Sequence, residues 1–141
     1  LEFPLRRHTI QLTQQEANDL VMEALRNVGL ERTVDMMPSE LSGGMRKRIA
    51  LARTLILKPE IILYDEPTTG LDPITSVEII SLINVIREKY GTSAIIITHD
   101  MKCVKLAAHR VAMLIDGKCY ATGTYSELRS SEDEKIRQFF H

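Results

Sequence analysis

Ser42, Gly43 and Gly44 stand at the start of a predicted helix, within the sequence Leu41–Met45. This arrangement suits an anion. It offers a hydroxyl, backbone N–H groups that the two glycines leave unobstructed, and the positive end of a helix dipole. The cations at 46–48 lie near the positive end of that dipole, which is unfavourable for an isolated helix. A bound phosphate would favour cations at this place. The alternatives are an ordinary serine-capped helix and a solvated basic face.

Two adjacent acids follow the apolar run Ile61–Tyr64, which ends in Asp65 and Glu66. A strand of this kind would deliver both carboxylates to the carboxyl edge of a sheet, where open α/β sheets bind ligands. Asp65 would hold Mg²⁺ through a water molecule, and Glu66 would orient and deprotonate an attacking water. The alternative is a pair of exposed loop acids.

Two further candidates follow in the chain. Asp72 lies in the tight loop Thr69–Pro73, where its carboxylate would face a partner or a catalytic group. His99 follows the apolar run Ala94–Thr98, and an imidazole at a strand end can donate to a γ-phosphate and stabilise transferring charge. The alternatives are a plain turn and a structural histidine.

The elements that must position these residues alternate between strand and helix, which predicts an α/β fold with a parallel sheet. Thr13 and Glu16 form a capping box before a helix that Gly29 ends. Residues 1–12 show no clear period, and Phe3–Leu5 is predicted to be the tail of a loop. The predicted helices cover about 13–28, 42–57, 75–90, 102–108, 125–128 and 133–140; the predicted strands are 61–64 and 94–98, both buried, and a hairpin of 111–115 and 118–122.

Composition favours one soluble globular domain, with 44% hydrophobic and 26% charged residues in 141. The net charge of -1 gives no basic field for nucleic acid, and no apolar run approaches the roughly 20 residues of a membrane span. Cys103 and Cys119 lack metal-site spacing and are predicted to be reduced thiols of a cytosolic protein, with a disulfide between them as the alternative. The start at Leu1 suggests a chain without a signal peptide, cut from a longer one.

The order and spacing of the motifs resemble the ABC ATPase family. Asp65 follows Met45 by 20 residues, Asp72 follows Glu66 by six, and His99 comes 27 residues later. The resemblance covers the whole chain and implies a P-loop NTPase-like fold, a three-layer parallel sheet with a helical subdomain, truncated at its N-terminus. It places the helical subdomain at about 1–57 and part of the core at 58–141.

The resemblance also assigns roles in ATP hydrolysis, with ATP and Mg²⁺ as cofactors. Asp65 matches the Walker B acid that holds Mg²⁺ through water, Glu66 the catalytic glutamate, Asp72 the D-loop and His99 the switch histidine. The signature motif is implied to contact the ATP that a partner subunit holds. Its residues here are Ser42, Gly43, Gly44 and Met45.

A phosphate-binding loop of the form G-x-x-x-x-G-K-[ST] is not in this sequence. The resemblance implies that its strand lies between the strands at 94–98 and 111–115, so the chain carries half a nucleotide site and should be inactive alone. We expect those two strands to pair directly, or a second copy to cover the exposed surface.

The function implied by the resemblance is the energy-coupling ATPase subunit of an ABC transporter. Its implied partners are a second ATPase subunit, with which it would form a homodimer, and a transmembrane permease that holds it at the cytoplasmic face of the membrane. No nucleic acid is implied as a partner. Met45, where the family usually has Gln, and the ending Arg137–Phe140 resemble the branch of Mla- and Mce-type lipid transporters. The alternatives are a soluble ABC ATPase of DNA repair or translation, and a regulatory module with degenerate chemistry.

Overall fold

The computed structural model describes residues 1–8 and 12–140. Seven helices and four strands are found in this part of the chain, with short 3₁₀ turns at Glu31–Thr33, Pro38–Glu40 and Gln138–Phe140. None of the described helices has the length and hydropathy of a membrane span. The elements are α1 (Glu2–His8), α2 (Gln14–Asn27), α3 (Gly43–Leu55), β1 (Ile61–Asp65), α4 (Pro73–Tyr90), β2 (Ser93–Ile97), α5 (Met101–Ala107), β3 (Val111–Ile115), β4 (Lys118–Gly123), α6 (Tyr125–Arg129) and α7 (Glu134–Arg137).

Helix ends follow the predicted local signals. Thr13 and Glu16 form the capping box that starts α2, and Gly29, at a φ of 70°, follows its end. Ser42 caps α3 as predicted, and Gly91 adopts the left-handed conformation after α4. These interactions depend on residues within one helical turn, which is why the sequence predicts them well.

The prediction of a loop tail at Phe3–Leu5 is wrong, because these residues lie within α1. The side chain of Leu5 is only 3% exposed in the main core, and Arg6 pairs with Glu2 one turn earlier at 2.6 Å. Pro4 lies in the first turn, where a backbone N–H has no helical partner to lose.

The main hydrophobic cluster joins α1, α2 and α3 to β1 and α4. It spans the boundary proposed at residue 57, because Ile62 and Ile86 pack with the helical residues. Two smaller clusters lie elsewhere, one between α4 and α5 and one under the hairpin. Cys103 belongs to the first of these, and both it and Cys119 are free thiols.

The strands form two separate two-stranded sheets. β1 pairs with β2 in parallel, with Asp65 opposite Ile97, and β3 pairs with β4 as an antiparallel hairpin. Asp116 and Gly117 form its turn, both at positive φ. Direct pairing of β2 with β3, one of the two predicted outcomes, is not found in the described part of the chain. Each sheet instead packs one face against helices that are close to it in sequence. Coverage by a second copy stays a prediction.

The prediction that β1 and β2 are buried strands is right only for one face of β1, and the covered face of β2 is half-buried. Ile62 is 2% exposed, whereas Leu63 is 71% exposed and Ile97 is 62% exposed. Successive side chains of a strand point to opposite faces, so a helix layer on one side leaves every second residue in solvent. Within the described residues, helices cover one face of this sheet, and its second apolar face stays exposed.

Candidate functional site

The carboxyl ends of β1 and β2 meet at one edge of their sheet. The strands are parallel and in register, and the ladder continues one residue beyond β1, where the Glu66 N–H donates to the Ile97 carbonyl at 2.9 Å. Parallel strands with neighbouring carboxyl ends place the residues that follow them side by side. The acids after β1 and the histidine after β2 therefore share one site, as the sequence predicts.

Glu66 and His99 are in direct contact. The Glu66 carboxylate lies 2.7 Å from His99 Nδ1 and accepts from the His99 backbone N–H at 3.2 Å. Thr69 donates its hydroxyl to the other carboxylate oxygen at 3.0 Å. The Glu66 side chain is 32% exposed and that of His99 is 81% exposed, so the acid is held and the imidazole faces solvent.

The hydrogen bond from His99 lowers the pKa of Glu66, with a further lowering by Thr69, against a raising effect of burial. Glu66 is therefore ionised at neutral pH, and an ionised carboxylate can only accept hydrogen bonds. His99 Nδ1 must then carry the proton that points at Glu66. Its Nε2 is left to face solvent, where it can donate only when the ring is fully protonated.

The two loops that follow β1 and β2 are fastened together. Thr68 donates its hydroxyl to Asp100 at 2.9 Å, and Asp100 also caps α5 through the N–H of Lys102 at 2.9 Å. Thr98 accepts from the Asp100 N–H at 3.0 Å. This set of contacts fixes the loop that carries His99 against the loop that carries Glu66.

Asp72 caps α4. Its carboxylate accepts from the backbone N–H groups of Ile74 and Thr75, both at 3.0 Å, and from the Thr75 hydroxyl. The hydrogen bond from the Thr75 side chain is the main reason that the pKa of Asp72 is lowered. The exposed side chain of Asp72 thus orders the start of α4, and its predicted role toward a partner stays a prediction.

The segment Ser42–Met45 forms the first turn of α3, and the Ser42 hydroxyl accepts from the Met45 N–H at 3.2 Å. Gly44 packs closely on α4, because a Cβ at this position would lie 2.6 Å from the methyl carbon of Thr75. A Cβ on Gly43 would meet Leu71 at an ordinary 3.5 Å. The start of α3 and the loop that carries Asp72 are therefore neighbours.

The basic run at 46–48 donates to protein groups rather than forming a uniform solvated face. Arg46 donates to the Leu41 carbonyl at 2.6 Å, and Lys47 donates to the Glu66 carbonyl at 3.1 Å. Arg48 bridges the Val28 carbonyl at 3.1 Å and the Glu78 carboxylate at 2.9 Å. These cations link α3 to its surroundings.

Sequence reasoning missed the residues that hold Glu66, above all Thr69 and Lys47. Thr69 lies three residues after Glu66, a spacing at which a hydroxyl can reach back in a turn, so a local signal existed. Lys47 lies 19 residues away, and nothing in the sequence pairs it with Glu66. Among the described residues, no hydrogen bond joins Ser42–Met45 directly to Glu66 or His99.

Asp65 is an exposed carboxylate at the end of β1. Within the described residues, no group of three or more histidine, cysteine or acidic side chains is placed to hold a metal ion. Mg²⁺ needs few protein ligands when phosphates and water complete its shell, so a single hard oxygen donor at this edge is compatible with it. The donor set fits Mg²⁺ only as a site shared with a bound phosphate.

Comparison with known proteins finds similar sequences among the ATP-binding proteins of ABC transporters. The family model described as ABC transporter matches residues 3–69. The intermembrane phospholipid transport system ATP-binding protein MlaF of Escherichia coli strain K12 is 40% identical over 137 residues, which are 97% of this chain and 51% of that protein.

Two solved structures share the fold. CbiO1 from Clostridium perfringens, part of the ABC transporter complex cbiONQ, has a TM-score of 0.83 at 33% identity, over 97% of this chain and 53% of that one. The dimeric, post-hydrolysis ATP-binding cassette MJ0796 with bound ADP and Pi has a TM-score of 0.74 at 32% identity, over 88% of this chain and 54% of that one. The chain spans about half the length of the relatives it matches.

Proposed function

We propose that this chain belongs to the ABC transporter ATPase family, with its P-loop NTPase fold, and that the whole protein is the ATP-hydrolysing, energy-coupling subunit of an ABC transporter. The observation that carries this proposal is the contact between Glu66 and His99 at the carboxyl edge of two parallel strands. A regulatory module with degenerate chemistry would have no need to keep both groups in register.

Glu66 is the general base of the proposed reaction. Water attacks the γ-phosphorus of ATP, the bond to the β-phosphate oxygen breaks, and the water proton goes to the Glu66 carboxylate, leaving ADP and phosphate. The hydrogen bonds from His99 and Thr69 lower the pKa of Glu66, which keeps the carboxylate ionised and fixes its direction. Orientation of the water is thus a large part of what Glu66 contributes.

His99 has two roles in this proposal. Its Nδ1–H holds the Glu66 carboxylate, and its exposed Nε2 faces outward, where a γ-phosphate could accept from it. Donation from both nitrogens requires the protonated form of the ring, the imidazolium. A protonated His99 would then also stabilise the charge that develops on the phosphate oxygens.

Asp65 is the residue that would hold Mg²⁺, through a water molecule. The ion, when bound, supplies positive charge against the β- and γ-phosphate oxygens. Asp65 is exposed and lies one residue before the base, so the two acids share the sheet edge without sharing a role.

The first turn of α3 would serve the ATP held mainly by a second subunit. The Ser42 hydroxyl and the N–H groups of Gly43, Gly44 and Met45 lie at the helix N-terminus, where a phosphate is favoured. Asp72, next to this turn, would lie at the same subunit boundary. A related ATP-binding cassette is dimeric with ADP and Pi bound, which supports a homodimer here.

Residues 1–57 are proposed as the helical subdomain and 58–141 as part of the core, with a transmembrane permease as the further partner. The protein would then lie at the cytoplasmic face of the membrane. The identity of 40% with a phospholipid transport ATP-binding protein, together with Met45 in the signature turn, supports a lipid as the transported substrate class.

Glu66→Gln in the full-length protein tests this proposal. The amide keeps the shape but cannot accept the proton, so we expect unchanged ATP binding and a loss of hydrolysis of about 10²–10⁴-fold. Turnover is measured by phosphate release and binding with a fluorescent nucleotide. The 141-residue chain alone, which lacks the phosphate-binding loop, is the control and should show no turnover. Hydrolysis at the parent rate in the Gln variant would refute Glu66 as the base.

A further inference from the structure

Lys47 connects helix α3 to the backbone of Glu66. Its ammonium group donates to the Glu66 carbonyl at 3.1 Å in a partly buried contact. Lys47 lies on α3 five residues after Ser42, whereas Glu66 follows β1, so the contact joins two elements that carry different parts of the proposed chemistry.

Glu66 has an unusual backbone conformation. Its φ is 46°, in the left-handed region that a residue with a Cβ adopts at an energetic cost. Such a conformation persists only where the surrounding contacts hold it. The direction of the carboxylate toward His99 depends on this backbone, because the side chain leaves from a Cα whose peptide planes are set by φ.

Three hydrogen bonds hold the Glu66 backbone. Its N–H donates to Ile97 at 2.9 Å, and its carbonyl accepts from the Thr69 N–H at 3.3 Å and from Lys47. Two of these partners belong to the neighbouring strand and to the same loop. Lys47 is the partner that comes from a separate helix, and its bond to the carbonyl is charge-assisted.

The neighbouring cations on α3 have other partners. Arg46 donates back to Leu41 at the start of the same helix, and Arg48 reaches Val28 and Glu78. The contact with Glu66 is therefore specific to Lys47 within this basic run. It also places a positive charge beside the backbone of the base rather than beside its carboxylate.

We propose that Lys47 is a positioning residue for Glu66, which holds the left-handed backbone that aims the carboxylate. This proposal rests on the proposed function. Because the first turn of α3 would contact the ATP of the second subunit, a shift of that helix would be transmitted through Lys47 to the base of its own subunit. The two nucleotide sites of a dimer would thus be coupled through one helix and one hydrogen bond.

Lys47→Met in the full-length protein removes the donor and keeps the apolar stem. We expect the turnover number to fall by about 10- to 100-fold, since a misdirected catalytic group has effects of that size. ATP affinity should stay unchanged, because Lys47 donates to a backbone carbonyl and not to a group that is proposed to bind phosphate. Lys47→Arg keeps a charged donor and should recover part of the loss. Lys105→Met, at an exposed position of α5, is the matched control and should keep parent activity.

The double variant Lys47→Met with Glu66→Gln separates positioning from a general structural defect. If Lys47 acts through Glu66, the double variant hydrolyses no more slowly than Glu66→Gln alone. Multiplied losses, or parent turnover in Lys47→Met, would overturn the proposal. Should Lys47→Met fail to fold by circular dichroism, Lys47→Gln and Lys47→Arg are measured in the same way, and equal loss in both would also overturn it.

These outcomes are separate from failure of the proposed function. A full-length parent that does not hydrolyse ATP, or a Glu66→Gln variant as fast as the parent, would remove the proposed function itself. A parent that hydrolyses ATP and depends on Glu66, with a Lys47→Met variant that behaves like Lys105→Met, would remove only the role of Lys47.

Discussion

The helices around α3 and the sheet of β1 and β2 are built differently. In the helical cluster Leu25 is 2% exposed and Ala52 is fully buried at 0%, whereas Leu63 and Ile97 on the sheet are 71% and 62% exposed. The helices close a core that also includes Ile62 of β1, whereas the other face of the sheet stays exposed. The candidate site lies at the edge of that half-covered sheet, so its geometry depends on hydrogen bonds more than on burial.

The largest expected effect tests this difference through stability. In the 141-residue chain, Leu25→Ala should lower the free energy of unfolding by about 2–5 kcal/mol, because it leaves a cavity in a closed core. Leu63→Ala should change it by no more than about 0.5 kcal/mol, because the side chain is largely in solvent already. Urea unfolding followed by circular dichroism measures both.

A large loss for Leu63→Ala would contradict the comparison. It would mean that something covers this face in solution, and a second copy of the chain is the predicted candidate. The loss would then depend on protein concentration, since association couples stability to mass action. Repeating the urea titration at several protein concentrations distinguishes this from a fault in the described packing.

An intermediate effect is expected where α3 meets α4. Gly44→Ala should lower the free energy of unfolding by about 1–3 kcal/mol, because the new Cβ would lie 2.6 Å from the methyl carbon of Thr75. Gly43→Ala is the matched control, since its Cβ meets Leu71 at an ordinary 3.5 Å. It should be neutral or slightly stabilising, because alanine favours a helix over glycine.

Thr75→Ser tests whether the contact with Thr75 causes the loss of stability in Gly44→Ala. It removes the methyl group and keeps the hydroxyl that donates to Asp72. In this background Gly44→Ala should lose most of its cost. If the cost is unchanged, the close approach of α3 and α4 is not its origin.

The parts of the fold that the sequence predicts are those with local signals. The capping box of α2, the serine cap of α3 and the hairpin turn at 116–117 each depend on a few consecutive residues. Helix α1 was missed because its stability comes from Leu5 packing on distant residues. The open face of β1 and β2 was missed because an apolar run shows that a strand can be buried, but not which layers cover it.

The site divides in the same way. The meeting of Glu66 with His99 is predictable, because parallel strands bring their carboxyl ends to one edge. The contact of Lys47 with Glu66 is not predictable, because the two residues are 19 positions apart and their contact depends on how α3 lies against the loop. The positive φ of Glu66 has no sequence signal either, since glycine and asparagine are the residues that announce such a conformation.

The smallest expected effect concerns the protonation of Glu66. Its pKa is lowered chiefly by the hydrogen bond from His99, and next by that from Thr69. The stabilisation from this contact is therefore present above the ordinary pKa of glutamate and is lost as pH falls through the lowered value. His99→Ala should raise the pKa of Glu66 toward its ordinary range, and Thr69→Val should raise it less. The backbone N–H of residue 99 remains as a donor in both variants, so neither should restore the ordinary value fully.

Carboxyl carbon shifts of Glu66, followed by NMR during an acid titration of the 141-residue chain, measure the pKa directly. An unchanged pKa in His99→Ala would show that the imidazole does not hold the carboxylate in solution. The Glu66 side chain would then lack its main ordering contact, just as the open sheet face beside it lacks a covering layer.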